Sequence, residues 1–354
     1  MSGELPSDDE AIEALNWWAE THAPPLTAGS ALFLNARACP RLLLRDDLVW
    51  HCEQPYRPWT TALQRRGIDA RSHIDATGFT ASLILIPPQR DEARALMARA
   101  VAATQAGGWV IAVAPKRAGG GTLEAELGQL LGGVQTLTKH RCRIVWGQVD
   151  PAHVNVELQS QWRELDAPRC LETNGETFWT RPGLFAWDRI DPASALLAAH
   201  LPANLAGRAA DLGAGWGYLS MQLLRRCPAI EAVHLFEANA RAEVPSRRNL
   251  DAVLATRADA HALWHWHDVT QGLPERFDVI VSNPPFHIGA REQVDLGRAF
   301  IRSARSALSA SGEFWLVANR HLPYEANLAE HFRQVDTMIQ HEGFKVIRAC
   351  GPRP

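Results

Sequence analysis

Two stretches of this chain share one layout: an apolar strand stopped by two prolines, a helix, then a glycine turn into a second strand. The first runs Ala81-Ser82-Leu83-Ile84-Leu85-Ile86 into Pro87-Pro88. Helical spacing with acids in its first turn follows over Asp91 to Val101, and Gly107-Gly108 opens the strand Trp109 to Ala114. The second runs Val279-Ile280-Val281-Ser282-Asn283 into Pro284-Pro285, then a helix over Ala299 to Leu308 and a turn at Ser311-Gly312 into Glu313 to Ala318. Proline has no N–H and cannot extend a ladder, so both strands are forced to stop there. A strand–helix–strand unit used twice restricts the chain to α/β architecture, in two tandem Rossmann-like domains. Any two α/β domains share this rhythm; the paired prolines at both strand ends favour a duplication.

The chain has 354 residues, enough for two domains of ordinary size. With 46% hydrophobic and 21% charged residues it has the composition of a globular protein. No apolar run approaches the roughly 18–20 residues of a membrane helix, and the acidic start, Met1 to Glu10, is unlike a secretory signal. A cytoplasmic protein without a membrane partner is expected. The six cysteines include no Cys-x-x-Cys pair, which speaks for reduced thiols rather than zinc or disulfides. A formal charge of −3 excludes a protein basic over its whole surface, but not a local basic face. The polar turn Glu172 to Glu176 divides the chain into expected domains 1–175 and 176–354. The aromatic stretch Phe178 to Asp188 is then either a packed hairpin or a flap over a ligand. Asp191-Pro192 reads as the N-cap and first residue of a helix.

Ala209-Ala210-Asp211-Leu212 reads as a strand, Gly213, Gly215 and Gly217 as a turn, and Tyr218 to Arg226 as the helix after it. Gly-x-Gly-x-Gly alone is a weak signal, but strand before and helix after is the context of a nucleotide-cofactor fingerprint. Glu237 ends the next strand, where a carboxylate can accept both ribose hydroxyls. Asp211 would repel the pyrophosphate of NAD, whereas it can accept from the amino group of a methionine moiety. No Gly-Lys-Ser/Thr follows, so this is not a P-loop. S-adenosylmethionine is therefore the expected cofactor, with Asp211, Gly213, Gly215, Gly217, Glu237 and Asn283 around it. Asp268, at the end of the alternating run from Leu263, is expected on the adenine amine. His261, His265 and His267 lack a companion motif, and no metal site is expected.

Asn283 and the Pro284 carbonyl offer two acceptors to one amino group, which localises its lone pair for attack on a methyl donor. Phe286 can stack on the base that carries the amine. These residues predict N-methylation of an unpaired or flipped base. Arg247, Arg248, Arg291, Arg298, Arg302 and Arg305 are candidate phosphate contacts. The first copy has Ile86 where the second has Asn283, and no glycine turn follows Ala31-Leu32-Phe33-Leu34, so it reads as catalytically silent.

At these residues the chain resembles the ribosomal RNA small-subunit methyltransferase C (RsmC) family. The resemblance rests on Asp211-Leu212-Gly213-Ala214-Gly215, Glu237, Phe277 to His287, Val317 to Tyr324 and Gly343 to Ala349. It implies two class I methyltransferase domains, the N-terminal one degenerate and supporting or binding RNA. It further implies a monomer that methylates guanine N2 in 16S ribosomal RNA, with Asn283, Pro284 and Phe286 catalytic. Pro285, Phe286, His287, Arg298 and Arg302 would then meet the RNA. Ala214 and Trp216 replace a commoner Cys and a small residue, and Glu237 stands for the usual Asp. Large-subunit guanine-N2 methylation and glutamine N-methylation use a similar device and stay open; intact Asp211, glycines and Asn283 argue against a non-catalytic RNA-binding or assembly factor.

Overall fold

The prolines at the two strand ends set the frame on which everything else is hung. The computed structural model describes residues 10–24, 26, 28–38, 47–173, 175–285 and 290–353, with the backbone alone over 290–294. The chain divides into two units, Met1–Ala167 and Pro168–Pro354. The first contains α1 (Glu10–Thr21), β1 (Gly29–Leu34), β2 (Leu48–Glu53), α2 (Arg57–Gln64), β3 (Ala70–Arg71) and β4 (Phe79–Leu85). It continues with α3 (Arg90–Ala103), β5 (Thr104–Pro115), α4 (Leu123–Leu131), β6 (Gln135–Lys139), β7 (Cys142–Gln148) and α5 (Val156–Arg163). Its seven strands lie in the order β3-β2-β1-β4-β5-β7-β6.

The second unit opens with a two-stranded hairpin, β8 (Arg169–Thr173) and β9 (Glu176–Thr180), so the turn expected to separate the domains lies inside it. Then come α6 (Pro192–His200), β10 (Ala206–Leu212), α7 (Tyr218–Arg226), β11 (Ala229–Glu237), α8 (Glu243–Leu254) and β12 (His261–Trp266). The chain ends with β13 (Phe277–Ser282), α9 (Ala290–Ala307), β14 (Leu308–Asn319), α10 (Tyr324–His331), β15 (Phe332–His341) and β16 (Phe344–Pro352). The strand order is β12-β11-β10-β13-β14-β16-β15, the same permutation as in the first unit. The two sheets share a register slip at the matched place, between Phe79 and Ala81 and between Phe277 and Val279; the second sheet slips also at Gly207/Arg208 and Thr337/Ile339. Two Rossmann-like sheets with one order and one matched irregularity are what a duplication leaves behind.

Each sheet is covered on both faces, and strand alternation sorts the core. Ala209 belongs to the cluster under α6, α7 and α8, while Ala210 and Leu212 belong to the one under α9 and α10. In both units the strand order reverses between the first strand and its proline-ended neighbour, β1/β4 and β10/β13. Such a reversal opens a crevice at the carboxyl ends of the strands.

The aromatic stretch after the hairpin turn is packed at its start, on β9, whereas Phe185 further along is exposed. Phe178 is fully buried against Trp216 and Tyr218, with ring centroids 5.5 and 6.0 Å away. Asn249 on α8 accepts the Trp179 N–H at 2.6 Å and donates to the Trp179 and Trp216 carbonyls at 2.8 Å. The hairpin is thereby fastened to the glycine turn. Lys345, 3% exposed, reaches both oxygens of Glu325 at 2.6 and 2.7 Å and the Leu322 carbonyl at 2.7 Å. This buried cation holds the loop between β14 and α10 in place.

Helix α9 meets α10 where Gly297 lies against the Tyr324 ring, and a β-carbon on Gly297 would run into the ring's hydroxyl. Gly297→Ala is expected to destabilise the protein by about 1–3 kcal/mol, and adding Tyr324→Phe to recover part of that loss. Urea midpoints of the single and double variants check this; additive losses would contradict the contact.

Candidate active site

Parallel strands deliver their terminal side chains to one edge, and here three of those ends carry polar groups. Leu212 pairs with Ser282 and Asp211 with Leu235, so the ends of β10, β11 and β13 are register neighbours. Ser282 ties two of them by donating to the Leu212 carbonyl at 2.8 Å. Asp211, Glu237 and Asn283 thus sit around the crevice at the switch point.

The glycine turn begins as the Gly213 and Ala214 N–H groups donate to the Phe236 carbonyl at 2.9 and 3.2 Å. Gly215 and Gly217 have φ of +53° and +88°, which glycine adopts without strain. In front of Gly215 the space is open: an added β-carbon would meet nothing within 4 Å. A ligand can therefore come close to the backbone there.

Asp211 is 1% exposed. Its Oδ2 accepts from the Ser220 N–H at 3.1 Å and the Ser220 hydroxyl at 2.7 Å, while its buried Oδ1 has no partner. Burial pushes the carboxyl up from 3.8 to about 7, with Glu237 adding to the shift and Ser220 opposing it. Glu237, partly exposed at its strand end, is pushed up by burial against three backbone N–H groups. Its Oε2 accepts from Gly215 at 2.8 Å and its Oε1 from Asn239 at 2.7 Å. It braces the turn and keeps acceptor capacity for a ligand hydroxyl. Two carboxylates with raised pKa and no cation among the described residues form a site that favours a positively charged ligand.

Asn283 is half-buried and its orientation is determined. Its Nδ2 donates to Asp191 Oδ2 at 2.9 Å and to the Ser194 hydroxyl at 2.8 Å. A carboxylate only accepts, so the amide nitrogen must face Asp191 and Oδ1 must face the other way. Asp191 is itself fixed as the N-cap of α6, accepting the Ser194 N–H at 2.8 Å, with Pro192 just inside the helix. Asn283 Oδ1 has no partner among the described residues. The bond from Asn283 to Asp191 spans 92 residues and has no signature in the sequence, which marks Asp191 only as a cap.

Other expected residues fall as follows. Pro284 is buried and Pro285 exposed at the same strand end; Phe286 and His287 lie outside the described residues. Asp268 is two residues beyond the end of β12, which stops at Trp266. Its Oδ1 accepts from the Thr270 N–H and hydroxyl at 3.0 and 2.6 Å, capping a short 3-10 turn. His265 stacks on Phe236 and lies 3.1 Å from His234, while His267 meets the Gly272 carbonyl at 2.6 Å. Among the described residues no group of three or more His, Cys, Asp or Glu is arranged to hold a metal. Arg298 pairs with Asp295 at 3.6 Å, Arg305 donates to the Arg353 carbonyl, Arg247 bonds Glu243, and Arg248 lies over Trp179. Arg302 is exposed on α9; the side chain of Arg291 lies outside the described residues.

Strand register also shows what the first unit holds at these places. Leu34 pairs with Ile84 and with Glu53, as Leu212 pairs with Ser282 and with Phe236. The residues one step on are Leu85 and Gln54, opposite Asn283 and Glu237, and Phe33 stands for Asp211. Matching the proline pairs puts Ile86 at Asn283; the register corrects this to Leu85, because β4 runs one residue further before its prolines. Gln54 keeps the turn-bracing geometry, accepting from Tyr56 N–H at 2.9 Å and donating to the Ala36 carbonyl at 2.8 Å, but without charge.

Residues 175–348 match the family model described as the methyltransferase small domain. The chain is 30% identical over 309 residues to ribosomal RNA small subunit methyltransferase C of Pectobacterium atrosepticum, covering 86% of this chain and 85% of the relative. It is 33% identical over 288 residues to the protein of that name from Pseudomonas syringae, covering 80% and 83%. Among solved structures it is similar to the T. thermophilus 16S rRNA N2 G1207 methyltransferase, RsmC, in complex with AdoMet and guanosine. The TM-score is 0.82 at 25% identity, over 99% of this chain and 94% of the other.

The raised Asp211 pKa has a thermodynamic sign. The folded state holds this proton more tightly than the unfolded chain, so stability is lost as pH rises from about 4 to about 7. Asp211→Asn is expected to be more stable than the parent above pH 7 in the absence of ligand, by roughly a few degrees in Tm. The gain should shrink towards pH 4. Thermal melts across this range check it; an unchanged difference at all pH values would contradict the buried carboxyl.

Proposed function

This chain belongs to the ribosomal RNA small-subunit methyltransferase C family, and from that premise we propose how its C-terminal unit works. The protein is an S-adenosylmethionine-dependent enzyme that methylates the exocyclic N2 amine of a guanine in 16S ribosomal RNA. When bound, S-adenosylmethionine supplies an electrophilic methyl group on a sulfonium. The orphaned Asp211 Oδ1 and the open space before Gly215 fit its cationic and nucleoside parts. Asp211 is assigned to the ammonium of the methionine moiety, Glu237 to the ribose hydroxyls through its remaining acceptor capacity, and Asp268 to the adenine amine.

The observation that carries the reading is the fixed face of Asn283. With its Nδ2 held by Asp191 and Ser194, Oδ1 is left to accept one guanine N2–H while the Pro284 carbonyl accepts the other. Two acceptors draw the amine lone pair out of the ring and towards the methyl group. Positive charge then develops on nitrogen, and fixed acceptors stabilise it more than they stabilise the ground state. The proton leaves to water, since the methylated ammonium is acidic. Pro285, Phe286 and His287 follow directly in the chain and are assigned to the base; Arg298 and Arg302 on α9 are assigned to phosphates. The first unit, with Phe33, Gln54 and Leu85 in place of the three polar groups, is assigned to RNA binding or support. No helix of the described residues is long and apolar enough to cross a membrane. A monomer acting in the cytoplasm on the small subunit or an assembly intermediate completes the reading.

The test is methyl transfer to 16S ribosomal RNA with mass mapping of the product. Asn283→Ala is expected to lower kcat by about 10²–10³ while cofactor affinity by calorimetry stays close to that of the parent. Asp191→Ala, which frees the carboxamide to flip, is expected to lower kcat in the same direction with a smaller loss. A product other than N2-methylguanine, or full turnover in Asn283→Ala, would overturn the reading.

A further inference from the structure

The first unit keeps a cavity of about 190 Å³ at the carboxyl end of β4, where the second unit has its amine site at the end of β13. Pro87 and Pro88, Met97 on α3 and Leu123 on α4 form apolar walls. Glu126 of α4 lines the cavity and is 5% exposed. Its Oε1 accepts from Arg90 Nε at 3.0 Å and from Arg94 at 2.9 Å. Its Oε2 takes no partner among the described residues. A buried carboxylate with one oxygen saturated and the other unused beside an apolar slot calls for a planar ligand with N–H donors.

We propose that this cavity binds an unpaired guanine of the RNA substrate and performs no chemistry on it. The proposal rests on the reading that the substrate is ribosomal RNA. Guanine presents N1–H and N2–H side by side, matching the two lone pairs of Oε2. Uracil offers a single N–H between two carbonyls, which a carboxylate repels, and adenine sets its amine beside an acceptor nitrogen. The rim supplies charge for the backbone of such a nucleotide. The Arg90 side chain is 62% exposed, and the loop that carries Gly119 also carries exposed Lys116 and Arg117. Methyl transfer in this unit is precluded by the residues already named: no carboxylate opposes Asp211 and no carboxamide opposes Asn283. The cavity therefore contributes to holding the RNA, and its loss should appear in KM rather than in kcat.

The experiment uses the intact protein and transcribed 16S ribosomal RNA carrying 6-thioguanosine, photo-crosslinked and mapped to peptides. A crosslink within residues 86–126 is expected, in addition to any in the second unit. Thr122→Phe, at an exposed position on the cavity's edge, should abolish it, and Glu126→Gln, which keeps the volume, should weaken it. Both should raise KM for the RNA by about tenfold with kcat and cofactor affinity unchanged. Crosslinks confined to the second unit, or a parental KM in both variants, would overturn the proposal. Absence of N2-methylguanine from the parent's product would instead count against the enzymatic reading, with the crosslink map still judging the cavity.

Discussion

A carboxylate has nothing to donate, and that fact decides which way the reactive carboxamide faces. Asp191 obliges Asn283 to turn its nitrogen inward, so the oxygen is the atom left at the crevice. The same acid caps α6, so the start of that helix, the end of β13 and the acceptor are set by one side chain. An asparagine without such a partner has two faces of similar size and can turn a donor, instead of an acceptor, towards an amine. The arrangement selects a single face before any substrate arrives, which is the kind of preorganisation that lowers a barrier without reorganisation at the moment of reaction.

The crevice is otherwise organised around missing positive charge. Asp211 and Glu237 are both pushed towards protonation by burial, and neither has a cation among the described residues to relieve it. The free protein bears that cost as reduced stability near neutral pH. A ligand with a positive charge removes it on binding, so part of its affinity comes from a cost already built into the fold.

Much of this was legible in the sequence because the informative groups are local. Strand, glycine turn and helix follow each other within a few residues around Asp211, and the prolines mark the end of β13 unaided. Long-range partnerships were not legible. Nothing in the periodicity connects Asp191 to Asn283, nor Lys345 to Glu325. Boundaries also moved. Asp268 was expected as a strand terminus, but β12 ends at Trp266 and the carboxylate turns back onto Thr270, a local bond that a short polar side chain makes readily. Helix α9 starts at Ala290, well before the apolar spacing from Ala299 announces it. The proline pairs misaligned the two halves by one residue, since a strand can run further before it stops.

The first unit also shows how unfavourable it is to place an acid at the position matched to Asp211. Phe33 is fully buried, tilted against Trp50 at 6.3 Å, in a core that has grown around the ring. Returning an acid there would leave a cavity and bury a carboxylate, before any benefit could follow from restoring Gln54 to an acid or Leu85 to a carboxamide, groups that function only together. Each such change is unfavourable alone, so a fold held in common by two halves works as a ratchet: one sheet order serves both, yet the polar groups of the crevice stay with one of them.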